Sequence, residues 1–188
     1  MALWEGWIGA SSGNSVMPLL SDYARKKKTE WFFRDIAPDA RVLEVGSGSG
    51  WVRTYARQQG WTGYVGLDMA PPADVVGDIR DWRTLGLTEA SFDVVIAFEV
   101  VEHVACFHEF YDLLVPGGLL MLTSPVPHMD WMCRILEALG LNQKRTSAHD
   151  HLVYFEKVPL FEPIAIRTVG FMAQWGKFRK PMVQPTGT

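Results

Sequence analysis

The 188-residue sequence holds little cysteine. Cys106 and Cys133, its two cysteines, make neither a metal-type pair nor a disulfide framework. That usage suits a reducing cytoplasm, the compartment expected for the chain. A broad basic excess is also missing. The formal net charge is −3, so no global field argues for nucleic acid as a partner. One short basic run, Arg25 to Lys28, reads as a solvated helix face. No stretch approaches the roughly 18 apolar residues of a membrane span. The start, MALWEGWIGASSG, has no basic region and no long apolar run, so no signal peptide is expected. Repeats and linkers are absent, and one domain over residues 1–188 is expected.

What is abundant is apolar surface, at 48% of residues, enough for a substantial core. Ser21 to Ile36 reads as a helix with Ser21 as its N-cap and Pro38 closing it, after an N-terminal arm. Alternation then begins. RVLEV reads as a strand and WVRTYARQQG as a helix ended by Gly60. GYVGLD, ADVVGD and FDVVIAF read as three more strands. CFHEFYDLL is helical, and Pro116-Gly117-Gly118 turns the chain into LLMLTSP. Strands alternating with helices predict a doubly wound α/β fold, a mostly parallel sheet with helices on both faces. Beyond Pro125, MDWMCRILEALG reads as a helix, HLVYF as a strand, and IRTVGFMAQWGKF as the last strands of the sheet. Residues 180–188 read as a disordered tail.

The first strand runs into three alternating glycines, in RVLEVGSGSGWV. In open parallel sheets, ligands bind beyond the carboxyl ends of the strands, where the strand order reverses. Gly46, Gly48 and Gly50 stand in that turn, and missing side chains let a backbone approach a ligand. A turn that only needs positive φ has the same look. Asp68 ends the second strand, 22 residues after Gly46, where an acid can accept hydrogen bonds from two ribose hydroxyls. A nicotinamide dinucleotide fits so far. Trp51 opposes it, because it fills the position of the third glycine in that fingerprint. Asp78, in GDIRDW, is placed to accept a hydrogen bond from an adenine amino group.

Five motifs occur in order: VLEVGSGSG, GLDMA, GDIRDW, FDVVIAFEVVEHV and LLVPGGLLMLTSP. Together they resemble the class I S-adenosylmethionine-dependent methyltransferases, particularly the small single-domain group called type 11. The resemblance is strong over Arg41 to Pro125 and looser through HLVYFEKVPLFEPIAIRTVGF. It implies a Rossmann-like, seven-stranded sheet. Residues 1–38 would be the arm and first helix, 41–125 the cofactor-binding core, and 126–179 the substrate side with the last strands. S-adenosyl-L-methionine would be the cofactor. Glu44, Gly46, Ser47 and Gly48 would line its methionine part, within the turn that Gly50 completes. Asp68 would hold the ribose, Met69 the adenine face, and Asp78 and Ile79 the adenine edge. Phe98 and Glu99 would flank the sulfonium.

A base is needed only if the methyl acceptor must lose a proton. On a helical turn, Glu99, Glu102 and His103 would share one exposed face, with Val100, Val101 and Val104 toward the core. His103 beside the acceptor, with Glu99 and a later histidine, His151 or His149, is the expected catalytic set. No obligatory metal is expected. The alternative, by resemblance to metal-assisted O-methyltransferases, is a divalent cation on Glu99, Glu102 and His103. The acceptor is expected to be a small molecule methylated on oxygen, a sugar or an aromatic metabolite. Trp4, Trp7, Tyr23, Trp31, His128, Trp131 and Met132 supply the apolar surface for such a pocket. An RNA acceptor is disfavoured by the missing basic surface. The rival from another class is a non-catalytic protein that binds the donor as a scaffold or partner subunit. Nothing in the sequence sets an oligomeric state.

Overall fold

A computed structural model describes residues 16–127 and 153–182. The chain forms two compact units, Met1–Ile36 and Ala37–Thr188. The described part of the first is α1 (Val16–Phe32) and the turn after it. α1 starts earlier than the N-cap signal predicts, so Ser21 lies inside the helix. Pro18 falls in the first turn, where a backbone N–H has no intrahelical partner in any case.

The second unit is built on a seven-stranded sheet. In chain order it contains β1 (Arg41–Val45), α2 (Trp51–Gln58), β2 (Gly63–Asp68), β3 (Val75–Val76), β4 (Phe92–Phe98), α3 (Phe107–Leu113), β5 (Leu114–Pro125), β6 (Glu162–Val169) and β7 (Ala173–Arg179). Short 3-10 turns cover Ile79–Asp81 and Phe155–Lys157. The strand order is β3-β2-β1-β4-β5-β7-β6. The first five strands of that order pair in parallel. β7 runs antiparallel to both β5 and β6. This is the expected Rossmann-like, mostly parallel sheet. The order reverses between β1 and β4, which sets a crevice at the carboxyl ends of β1, β2 and β4.

The apolar runs form the strands because both faces are covered. β4 is buried at Phe92 and from Val94 to Ala97, and β5 from Leu120 to Ser124. Leu43, Val95, Phe110, Leu120, Leu122, Phe155 and Phe178 form the centre of one core.

ADVVGD contributes a short strand as expected, Val75–Val76, and two expectations need correction. In HLVYF, the described residues Val153 to Phe155 enter a 3-10 turn and form no strand. A side chain takes the place of a strand partner there. Gln174 accepts from the Phe155 N–H at 3.0 Å and donates through Nε2 to the Val153 carbonyl at 2.6 Å. Lys180 belongs to the fold and not to a tail. Its backbone bonds to Gly117 and Gly118, extending the β5–β7 pairing. Its Nζ is buried and donates to the carbonyls of Tyr111 and Leu114, each at 2.7 Å. The predicted helix MDWMCRILEALG lies outside the described residues.

Candidate active site

The crevice begins at the turn between β1 and α2. Gly46 bends the chain at φ +75, and its N–H donates to the Leu67 carbonyl at 2.8 Å. A Cβ at Gly46 would lie 2.6 Å from Cγ2 of Val100, so the turn and the end of β4 approach as closely as a bare backbone allows. The Gly48 N–H donates to Oδ2 of Asp68 at 2.8 Å, tying the turn to the end of β2. Trp51 opens α2 and stacks on Phe98, with ring centroids 6.0 Å apart and planes 12° from parallel. An indole is accommodated here because Phe98 covers it.

These elements enclose a cavity of about 650 Å³. β1 contributes Val45 and Gly46, and the end of β2 contributes Leu67, Asp68 and Met69. The turn after β3 contributes Gly77, Asp78, Ile79 and Arg80. The end of β4 contributes Phe98, Glu99, Val100, His103 and Val104. Of the residues singled out from the sequence, Gly46, Asp68, Met69, Asp78, Ile79, Phe98, Glu99 and His103 are brought together. His149 and His151 lie outside the described residues, as do Trp4, Trp7, His128, Trp131 and Met132.

Glu44 on β1, and Ser47, Gly48 and Gly50 in the turn, are not among the residues that line this cavity. Glu44 is buried and accepts a hydrogen bond from the Tyr64 hydroxyl. Pairing of β1 with β2 sets Glu44 opposite Gly66, two residues after Tyr64. The missing side chain at Gly66 makes the room. A Cβ there would lie 2.9 Å from the Tyr64 oxygen and 3.2 Å from Nη2 of Arg53. Arg53 pairs with Asp74 at 2.9 Å, and Asp74 accepts from the Gly66 N–H at 2.8 Å. Burial pushes the Glu44 carboxyl up to about 8, against the pull of Tyr64 and Arg53. Strand alternation already carried this signal, because Glu44 and its neighbour Val45 point to opposite faces.

Asp78 caps the 3-10 turn that follows it, accepting from the Arg80 N–H at 2.9 Å. The Arg80 guanidinium also grips it, with Nε at 3.0 Å, and holds its carboxyl below the usual range. Arg80 is a cavity residue that the sequence reading missed. Its spacing in GDIRDW, two residues after Asp78, was the available signal.

At the end of β4 the helical-face expectation fails. Glu99 has φ +56, so it cannot start a helical turn. Its N–H donates to the Thr123 carbonyl at 2.9 Å, and Thr123 Oγ1 donates to its Oε1 at 2.7 Å. Val101 is in the core as expected, whereas Val100 and Val104 pack only partly against it and also wall the cavity. Glu102 is 1% exposed and leaves the shared face with Glu99 and His103. Burial, and then the charge on Glu99, push its carboxyl up to about 8. Among the described residues, no three His, Cys, Asp or Glu side chains converge as a metal site would need. The cation alternative therefore loses Glu102 as an exposed ligand.

Residues 19–166 match a family model described as a methyltransferase domain, which is most of the chain. The chain belongs to that methyltransferase family. It is a class I S-adenosylmethionine-dependent enzyme, and similar solved structures share its fold. One is the PH0226 protein of Pyrococcus horikoshii OT3, at 15% identity and TM-score 0.61, covering 89% of this chain and 92% of that one. A second is the [4+2]-cyclase SpnF, at 12% identity and TM-score 0.64, covering 92% and 85%. A third is an S-adenosylmethionine-dependent methyltransferase from Mesorhizobium loti, at 16% identity and TM-score 0.54, covering 75% and 91%. At these identities the likeness is one of fold. No curated protein matches the chain.

The cofactor of the methyltransferase is S-adenosylmethionine. The cavity fits it. Its volume falls within the roughly 300–1,000 Å³ of ligand pockets. Asp68 offers a carboxylate at one wall, and the bare backbone at Gly46 leaves the narrowest approach clear. No helix among the described residues is long and apolar enough to cross a membrane.

Proposed function

We propose that this methyltransferase acts on an oxygen of a small-molecule acceptor. The observation that carries the reading is that Phe98, Glu99 and His103, from the end of β4, line the same cavity as Asp68 and Asp78, from the ends of β2 and β3. Bound S-adenosylmethionine supplies a methyl group on a sulfonium, already activated for in-line displacement. The protein's work is then alignment and exclusion of water. Asp68 holds the ribose while it keeps the Gly48 amide in place. Met69 lies against the adenine face. Asp78 and Ile79 take the adenine edge, with Arg80 fixing the Asp78 carboxylate. Glu99 and His103 face the acceptor, and its hydroxyl proton passes to one of them. His151 joins this set on the sequence pattern alone.

The acceptor is a sugar or an aromatic metabolite, a reading supported by the mixed wall of Phe98, Val100 and Val104 with one carboxylate and one imidazole. The same proposal treats residues 1–188 as one methyltransferase domain of the type 11 group, working in the cytoplasm without an obligatory metal. A second reading has a specific observation behind it. SpnF, similar over most of its length, is a [4+2]-cyclase, so the fold also hosts other chemistry.

Calorimetric titration with S-adenosylhomocysteine tests the donor site. Asp68→Asn should weaken binding roughly 10- to 100-fold by losing charge-assisted bonds to ribose. Unweakened binding would place the ribose elsewhere. A panel of sugars and phenols with labelled donor then tests the acceptor. Donor binding with no transfer to any of them would favour the scaffold reading.

A further inference from the structure

We propose that Glu102 is a positioning residue, whose carboxylic acid form donates a hydrogen bond to Glu99 and holds the Glu99 carboxylate toward the cavity. The proposal rests on the methyltransferase reading of the site. Glu102 is 1% exposed, yet its Oε2 has no hydrogen-bond partner among the described residues. An acid buried in this way is costly unless it is neutral and hydrogen-bonded to a neighbour. Its neighbours are the Glu99 carboxylate, three residues earlier in the chain, and the Ser124 hydroxyl from β5. Glu99 differs from it in being a wall of the cavity.

A carboxyl group buried beside a second, exposed one is hard to ionise. Glu102 is the buried one and keeps its proton, and Glu99 is the one facing the cavity. Burial and the Glu99 charge both push Glu102 in that direction, up to about 8. Glu99 is then fixed from three sides. Its N–H is anchored on the Thr123 carbonyl, its Oε1 accepts from the Thr123 hydroxyl, and Glu102 meets its carboxylate. This restraint accounts for the left-handed backbone at Glu99, which a bulky residue adopts only where its surroundings hold it. The product is one negative charge, aimed in one direction, at the end of the cavity proposed for the reacting groups.

Sinefungin tests the aim of that charge without any acceptor, because it carries an ammonium where the donor carries its methylsulfonium. Its affinity relative to S-adenosylhomocysteine should be measured calorimetrically for the unmodified enzyme, Glu99→Gln, Glu102→Ala and Glu102→Gln. The sinefungin preference should fall roughly 10-fold or more in Glu99→Gln and Glu102→Ala. Glu102→Gln should keep it, because the amide still donates to Glu99. A preference that survives Glu102→Ala, or that Glu102→Gln loses as fully as Glu102→Ala, would overturn the proposal. An infrared spectrum at neutral pH gives a second measure that does not need the alanine variant to fold. In a Glu44→Gln background, which removes the other buried acid, the carbonyl stretch of a protonated carboxylic acid should be present and should be lost when Glu102→Gln is added, and its persistence there would also overturn the proposal. Failure of the unmodified enzyme to bind S-adenosylhomocysteine at all would instead sink the donor site itself, and this proposal with it.

Discussion

Glu44 and Glu102 are both buried acids close to the glycine turn, and burial pushes both up to about 8. Their surroundings are unlike. Glu44 is met by the Tyr64 hydroxyl and by Arg53, which pull it back toward its ordinary value. That network joins β1, β2 and α2 through Tyr64, Arg53, Asp74 and the backbone of Gly66. Glu102 is met by another acid, whose charge adds to the effect of burial. The contrast separates two uses of a buried carboxyl group. One is a joint between elements, compensated by donors and a cation. The other meets no cation, only the Ser124 hydroxyl, a backbone hydrogen bond and an acid that lines the cavity, as groups with a chemical task often do.

The contrast breaks if changes on the two sides give the same phenotype. The largest effect is expected at the β4 end. His103→Ala should slow methyl transfer about 10²–10⁴-fold, as loss of a general base does. Affinity for S-adenosylhomocysteine and the melting temperature should hold. Full rate on the true acceptor would remove His103 from the chemistry, and a chelator that alone stops the unmodified enzyme would revive the cation alternative. Next in size is Tyr64→Phe, which leaves Glu44 buried without its donor. Chemical denaturation should show a loss of about 1–3 kcal/mol, with methyl transfer retained in the folded fraction. A loss of transfer without a loss of stability would move Glu44 into the site.

A further test sharpens the comparison through pH. Both carboxyl groups rise from 4.5 to about 8 on folding. Between those values the folded chain holds protons that the unfolded chain has released. Stability therefore falls as pH rises through the window and levels off above about 8. Each group contributes at most about 1.4 kcal/mol per pH unit. Denaturation midpoints across the window should flatten partly in Glu44→Gln and partly in Glu102→Gln. Curves unchanged in both would mean that neither acid keeps its proton in the folded state.

The parallel half of the sheet was legible because its strands are continuous apolar runs followed by glycine or acid. β1, β2 and β4 fall where RVLEV, GYVGLD and FDVVIAF place them. Much of the cavity was legible too, because Gly46, Asp68, Asp78, Phe98 and Glu99 follow directly from strand ends. The misses have local causes. The face shared by Glu99, Glu102 and His103 was drawn with a helical period, and the left-handed backbone at Glu99 breaks that period. HLVYF has strand composition, but a glutamine side chain from a strand distant in sequence satisfies its backbone. Tyr64 and Gly66 gave no signal for the partner of Glu44, since only the register of β1 against β2 brings them together.

The place of β7 has a consequence for how the molecule is made. It lies between β5 and β6 in the sheet, yet it is the last of the seven strands in sequence. A ribosome delivers about 5–20 residues per second. For seconds during synthesis, β5 therefore lacks its outer, antiparallel neighbour and presents a row of unpaired N–H and C=O groups. Such an edge is a template for pairing with another chain. It is covered only when β7 pairs with β5 and Lys180 reaches the carbonyls of Tyr111 and Leu114. The newborn chain thus passes through an interval in which its parallel half is complete and β5, buried from Leu120 to Ser124 in the finished sheet, is still open to a neighbour.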